Sequence, residues 1–135
     1  MIKDVKLAKE ILVSEKNEAG ILAKISKILA DSGINIQGVV GYVMNKEASI
    51  MLVTGDNLRA VDLLKKAGYK AVKENEVVTA ELINKPGALK SFTAKLAAGG
   101  IDIRYAYGTT CSAGCSSRIV LSTSDNEKVV ALFKG

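Results

Sequence analysis

Apolar and polar positions change rhythm along this chain in a fixed series, and the series occurs twice. Ala8-Lys9-Glu10-Ile11-Leu12-Val13 is an apolar, β-branched run that predicts a strand. A polar turn, Ser14–Ala19, follows and closes on Gly20. Apolar residues then recur at Ile21, Leu22, Ile25, Ile28 and Leu29, the stripe of a helix with one buried face. Gly33 suits the left-handed position that ends such a helix. Two strands over 35–43 and 48–54 join as a hairpin across Met44-Asn45-Lys46-Glu47. Asp56 or Asn57 can cap a second helix carrying Leu58, Val61, Leu64 and Ala67, which Gly68 ends. Residues 69–73 supply a closing strand.

The second pass begins without an obvious linker. Val77–Ile83 predicts a strand, Asn84-Lys85-Pro86-Gly87 a turn, and Leu89, Phe92 and Leu96 a helix ended by Gly99-Gly100. Strands over 101–110 and 117–123 follow, and Ser124-Asp125-Asn126-Glu127 has the spacing of a capping box before a last helix. The first parts of the two copies superpose at an offset of 67: Asn17/Asn84, Gly20/Gly87, Leu22/Leu89, Leu29/Leu96, Gly33/Gly100 and Ile36/Ile103 are identical pairs. The last helices need an offset of 69, so the second hairpin is two residues longer.

The predicted class is α+β: two ferredoxin-like βαββαβ units, residues 1–74 and 75–135, each an antiparallel sheet with its helices on one face. The second unit reaches the last residue where its final strand should start. Residues 1–5 have no counterpart in the repeat, so either they or a strand from another subunit are expected to cover that open edge. Glu74 and Glu76 fall in what reads as the connection between copies.

Composition narrows the function. With 48% hydrophobic and 24% charged residues, the 135-residue chain reads as a globular protein without a membrane-spanning run or a signal sequence, which predicts a cytoplasmic location. The net charge of +5 comes from scattered lysines, as expected of solvated helix faces and not of a nucleic-acid surface. No histidine is present, so Ser, Thr and Cys lack their usual activating base, and no enzyme activity, metal or cofactor is expected. Cys111 and Cys115 frame a hairpin tip. Their spacing is not that of a CxxC pair, and they read as inert thiols, reduced in a cytoplasm, as a redox-sensitive crosslink, or as a metal or thiol contact with a partner. Tyr105 and Tyr107 share one strand face and suit an interface. Gly38, Gly41 and Gly108, inside strands, predict bulges or close backbone approach.

A glycine at the first turn of a helix leaves room beside unpaired backbone N–H groups, where a carboxylate gains from the helix dipole. Gly20 and Gly87 serve either that purpose or a tight turn alone. Asn17 and Asn84 offer a donor and an acceptor to a zwitterion, or else cap the helices.

The segments Asn84-Lys85-Pro86-Gly87-Ala88-Leu89 with Gly100-Ile101-Asp102-Ile103, and Asn17-Glu18-Ala19-Gly20-Ile21-Leu22 with Gly33-Ile34-Asn35-Ile36, resemble the turn and G-I-N-I motifs of ACT domains. That resemblance implies a regulatory protein binding a free amino acid where two ACT modules meet, in a homodimer or with a metabolic enzyme as partner. It also implies ligand-binding roles for Asn17, Ala19, Gly20, Ile21 and Asn35, and for Asn84, Pro86, Gly87, Ala88 and Asp102. Asparagine of the turn would act with Asn35 or Asp102 from the neighbouring module. Ala19 stands where the family has proline, and Asp102 adds a negative charge, so the two sites should differ, and if only one binds it is expected to be the Asn84–Gly87 turn. A ligand-free dimerisation module is the alternative.

Overall fold

The computed structural model describes residues 1–109 and 115–134. Ten elements follow in order: β1 (Ile2–Lys16), α1 (Ile21–Asp31), β2 (Ile36–Met44), β3 (Glu47–Thr54), α2 (Asn57–Lys66), β4 (Ala71–Leu82), α3 (Ala88–Ala98), β5 (Ile103–Thr109), β6 (Ser117–Thr123) and α4 (Asn126–Leu132). They divide into two compact units, Lys9–Asn75 and Met1–Ala8 with Glu76–Gly135.

In the first unit, Lys9–Asn75, the strand order is β2-β3-β1-β4. Ile11 pairs with Leu52 and Val13 with Ile50, and these four side chains lie on the helix-covered face. Ile21, Ile25 and Leu29 of α1, Ala60 and Leu64 of α2 and Val72 complete a buried cluster. The predicted stripe of α1 is therefore its buried face, whereas Leu22 stays exposed. Each fully buried aliphatic side chain contributes about 1.5–3 kcal/mol. The β2–β3 hairpin turns at Asn45 and Lys46, both at positive φ (52° and 66°), as a type I′ turn requires.

The second unit repeats this plan with one substitution of parts. Its strand order is β5-β6-β4-β1, so the place of a final strand is filled by Met1–Ala8. The amide of Ile83 donates to the carbonyl of Met1 at 2.7 Å, fixing the start of β1 beside the end of β4. Ile2 and Val5 pack onto the cluster formed by Val78, Ala80, Leu82, Ala88, Phe92, Leu96, Leu121 and Val129. The Phe133 ring stacks on Phe92, 5.0 Å between centroids. The N-terminal residues are thus the first part of β1, and structurally they go with the second repeat and not with the first. Glu74 and Glu76 likewise lie within β4 and not in a connection.

Capping follows the repeat closely. Gly33 and Gly100, at φ 72° and 71°, end α1 and α3 with matching bonds: Ile34 N–H to Leu29 and Gly33 N–H to Ala30, then Ile101 N–H to Leu96 and Gly100 N–H to Ala97. Asp56 and Asp125 cap α2 and α4 by accepting from the amides of Arg59 and Lys128. For the last helix the cap is therefore Asp125 and not Ser124 of the predicted box.

A Thr-x-Asp-Asn sequence, 54–57 and again 123–126, builds the same network twice. Asn57 Oδ1 accepts from the Thr54 amide (3.1 Å) and hydroxyl (2.6 Å), while its Nδ2 donates to the Lys9 carbonyl. Asn126 does the same with Thr123 (3.0 and 2.7 Å) and the Glu76 carbonyl. Each asparagine thereby ties the entry of a helix to a strand that opens its unit. Gly38 sits where the β2–β3 register shifts, as a bulge glycine should. Gly108 is demanded by close approach, since a Cβ there would lie 2.9 Å from the Arg118 carbonyl oxygen.

Candidate functional site

The β1–α1 turn ends in Gly20, at φ 90° and ψ 7°, a left-handed conformation that glycine adopts without cost. No side chain caps α1 there. The equivalent Gly87, at φ 89°, opens α3, again without a side-chain cap. The residue at each of these cap positions is therefore a glycine, three residues after Asn17 and Asn84 respectively. The contrast with the aspartate-capped α2 and α4 is internal to the chain: α1 and α3 are entered through glycines, which bring no side chain of their own to the first turn.

In the first unit this turn opens into a groove of about 260 Å³ lined by Asn17, Glu18, Gly20, Ile21, Leu22 and, across from them, Gly41, Tyr42 and Val43 of β2. Nothing lies within 4 Å of where a Cβ on Gly20 would project. The Asn17 amide donates to the Lys46 carbonyl at 2.9 Å, which binds the turn to the β2–β3 hairpin and sets the width of the groove's polar end. The rim is apolar, with Leu22 and Val43 exposed. The groove therefore has a polar end at Asn17 and Glu18 beside an apolar wall. Ala19 is exposed on the turn but does not line the groove. Asn35 stands at the opposite end of β2, where its carbonyl accepts from Gly55, and within its own unit it is not brought to Asn17.

In the second unit Asn84, Pro86 and Gly87 are exposed on the turn and Ala88 is buried, its amide donating to the Lys85 carbonyl. Ser117 Oγ lies 3.5 Å from Asn84 Oδ1. Asp102 is fastened at the start of β5 by two bonds to Ser124, through its amide (3.0 Å) and its carbonyl (2.9 Å). It lines a separate groove along α3 with Lys90 and Thr93.

Charge near the first turn is arranged by Glu18 and Lys24. Their 2.9 Å hydrogen-bonded ion pair raises the lysine above its ordinary 10.5. The residues missed from sequence are Gly41, Tyr42, Val43 and Leu22. Leu22 fell within the predicted buried stripe, and the hairpin's return to the turn is a tertiary fact. Among the described residues no group of three or more His, Cys, Asp or Glu could hold a metal. No helix among them is long and apolar enough to cross a membrane. Cys111, and with it any pairing to Cys115, lies outside the described residues.

Comparison with known proteins matches residues 9–67 to the ACT domain. No curated protein sequence matches the chain. Among solved structures, protein BT0572 from Bacteroides thetaiotaomicron superposes with a TM-score of 0.86 at 24% identity, over 95% of this chain and 87% of that one. The ligand-free regulatory subunit of aspartate kinase from Thermus thermophilus gives 0.69 at 14%, over 97% and 95%. Aspartokinase III of E. coli in complex with lysine and aspartate gives 0.54 at 19%, over 98% of this chain and 33% of that one. Residues 9–67 thus match the ACT domain within one βαββαβ unit, and the second unit repeats that unit's plan of elements.

Proposed function

We propose that this protein is a non-catalytic regulatory protein that binds a free amino acid at the β1–α1 turn of its first unit. The observation that carries this reading is the entry of α1. Gly20 holds it open without a side-chain cap, and it faces a groove with a polar end at Asn17 and an apolar wall at Leu22 and Val43. First-turn N–H groups would receive the carboxylate, the Asn17 side chain the ammonium group, and the apolar rim the side chain. The aspartokinase relatives in fold, one of them holding lysine and aspartate, support an amino acid as the ligand class.

The edge strand β2 favours a second copy of the chain as the other wall of the site. It displays Val39, Tyr42, Val43 and Met44 to solvent, the last 64% exposed, next to the groove. An unpaired strand edge with apolar side chains is a pairing surface. Occupancy would then be reported through the stability of that dimer, by at most the difference in ligand affinity between the paired and unpaired states. The same exposed edge also favours the alternative, an assembly module that dimerises without ligand. A metabolic enzyme regulated by the dimer and a cytoplasmic location belong to this proposal.

A thermal-shift panel of the twenty amino acids separates the two readings. At about 100 times Kd a ligand adds about 2.7 kcal/mol of stability. A response to one or a few amino acids supports sensing. A concentration-dependent dimer with no response to any of them supports the assembly module.

A further inference from the structure

The two glycine turns are alike in backbone but not in what stands beside them. A Cβ on Gly20 would meet nothing within 4 Å, whereas one on Gly87 would lie 3.7 Å from the Met1 Cε. The Met1 sulfur is 3.8 Å from Ser91 Oγ, on the first turn of α3. Its carbonyl is fixed by the 2.7 Å bond from Ile83. Thus the strand that completes the second unit also delivers a flexible thioether to the side of Gly87 that glycine leaves vacant. Methionine is suited to filling an irregular gap of this kind.

We propose that the Met1 side chain plugs the Gly87 turn, so that the Gly20 turn is the one open to ligand. This rests on the amino-acid-binding reading and reverses the preference for the Asn84–Gly87 turn that the sequence motif suggested. A carboxylate approaching the entry of α3 from the Gly87 side would have to displace the methyl group. The corresponding position at Gly20 has nothing within 4 Å.

Residue 1 can be varied by releasing the chain from a cleavable N-terminal fusion. Amide hydrogen exchange of the intact chain then reads the plug without any ligand. Met1→Ala should speed exchange at Leu89 and Lys90 and leave Leu22 and Ala23 unchanged, while Met1→Leu, which keeps a bulky side chain there, should resemble the parent. The Ile83 amide reports the strand itself. If it loses protection together with Leu89, or if Leu89 and Lys90 do not respond, Met1 anchors β1 and is not a plug. Titration with glycine, the zwitterion common to all amino-acid ligands, adds the functional arm. Amide shifts at residues 20–23 in the parent, joined by shifts at 87–90 only in Met1→Ala, support the plug, and shifts at both turns in the parent overturn it. If glycine moves neither turn in any variant, the amino-acid reading loses support, while the exchange arm still decides for or against the plug.

Discussion

The carbonyl of Met1 accepts a hydrogen bond from the amide of Ile83, 82 positions away in the chain, at 2.7 Å. That bond marks how the second repeat is completed. The strand position beside β4 is taken by residues that precede the first repeat. Removing residues 1–8 should therefore expose the β4 edge and uncover the part of the core held by Ile2 and Val5. Hydrogen exchange should show residues 76–82 losing protection while Leu29 and Leu64 of the first unit keep theirs. Equal loss in both units would mean that the two do not fold around separate cores.

The paired asparagine networks predict matched mutational costs. Asn57→Ala and Asn126→Ala each leave a threonine amide and hydroxyl and a strand carbonyl short of a partner, at a cost of about 1–3 kcal/mol. Asp56→Ala and Asp125→Ala remove only a cap and should cost about 1 kcal/mol. Urea denaturation of the four variants checks the ranking. An aspartate variant weaker than its neighbouring asparagine variant would contradict it.

Much of this architecture was legible in the sequence because the helices bury one face and the central strands carry continuous apolar runs. The stripe Ile21, Ile25, Leu29 and the continuous apolar run of Ile50 to Val53 in β3 name their elements directly. The N-terminal half of β1 was not legible. Its half-buried residues, Ile2, Val5 and Ala8, come every third position, a spacing that signals neither an alternating strand nor an amphipathic helix. Lys73 to Glu76 hid the continuity of β4 in the same way, because four polar residues in a row read as a loop. At the candidate site the turn glycines and Asn17 were readable from the motif. Gly41–Val43 were not, since only the hairpin geometry brings them opposite Gly20.

Phe92 is the largest fully buried side chain of its unit and stacks on Phe133. Phe92→Ala should cost about 3–5 kcal/mol, measured by thermal or chemical unfolding. A loss below about 1 kcal/mol would mean the core collapses around the gap.

Lys24 is held above 10.5 first by its hydrogen bond to Glu18 and then by that residue's charge. Because the folded value is the higher one, any stabilisation is fully present below 10.5 and is lost as pH rises through the folded value. Nζ titration by NMR in the parent and in Glu18→Gln should show the lysine value falling in the variant. No change would remove Glu18 as the cause. The exposed position of the pair predicts a shift that salt diminishes.

Gly20 has a conformation that a side chain resists, so Gly20→Ala should cost about 1–2 kcal/mol from backbone strain alone. Its ligand affinity must be read in the folded fraction, with Leu22→Ala as an unstrained companion on the groove wall.

The most direct measurement is amide chemical-shift mapping of the parent chain against each of the twenty amino acids. Saturable shifts centred on residues 20–23 and 41–43, produced by one or a few of them, are the predicted result. Saturable shifts confined to other surfaces, or none with any amino acid, would contradict amino-acid binding at the Gly20 turn.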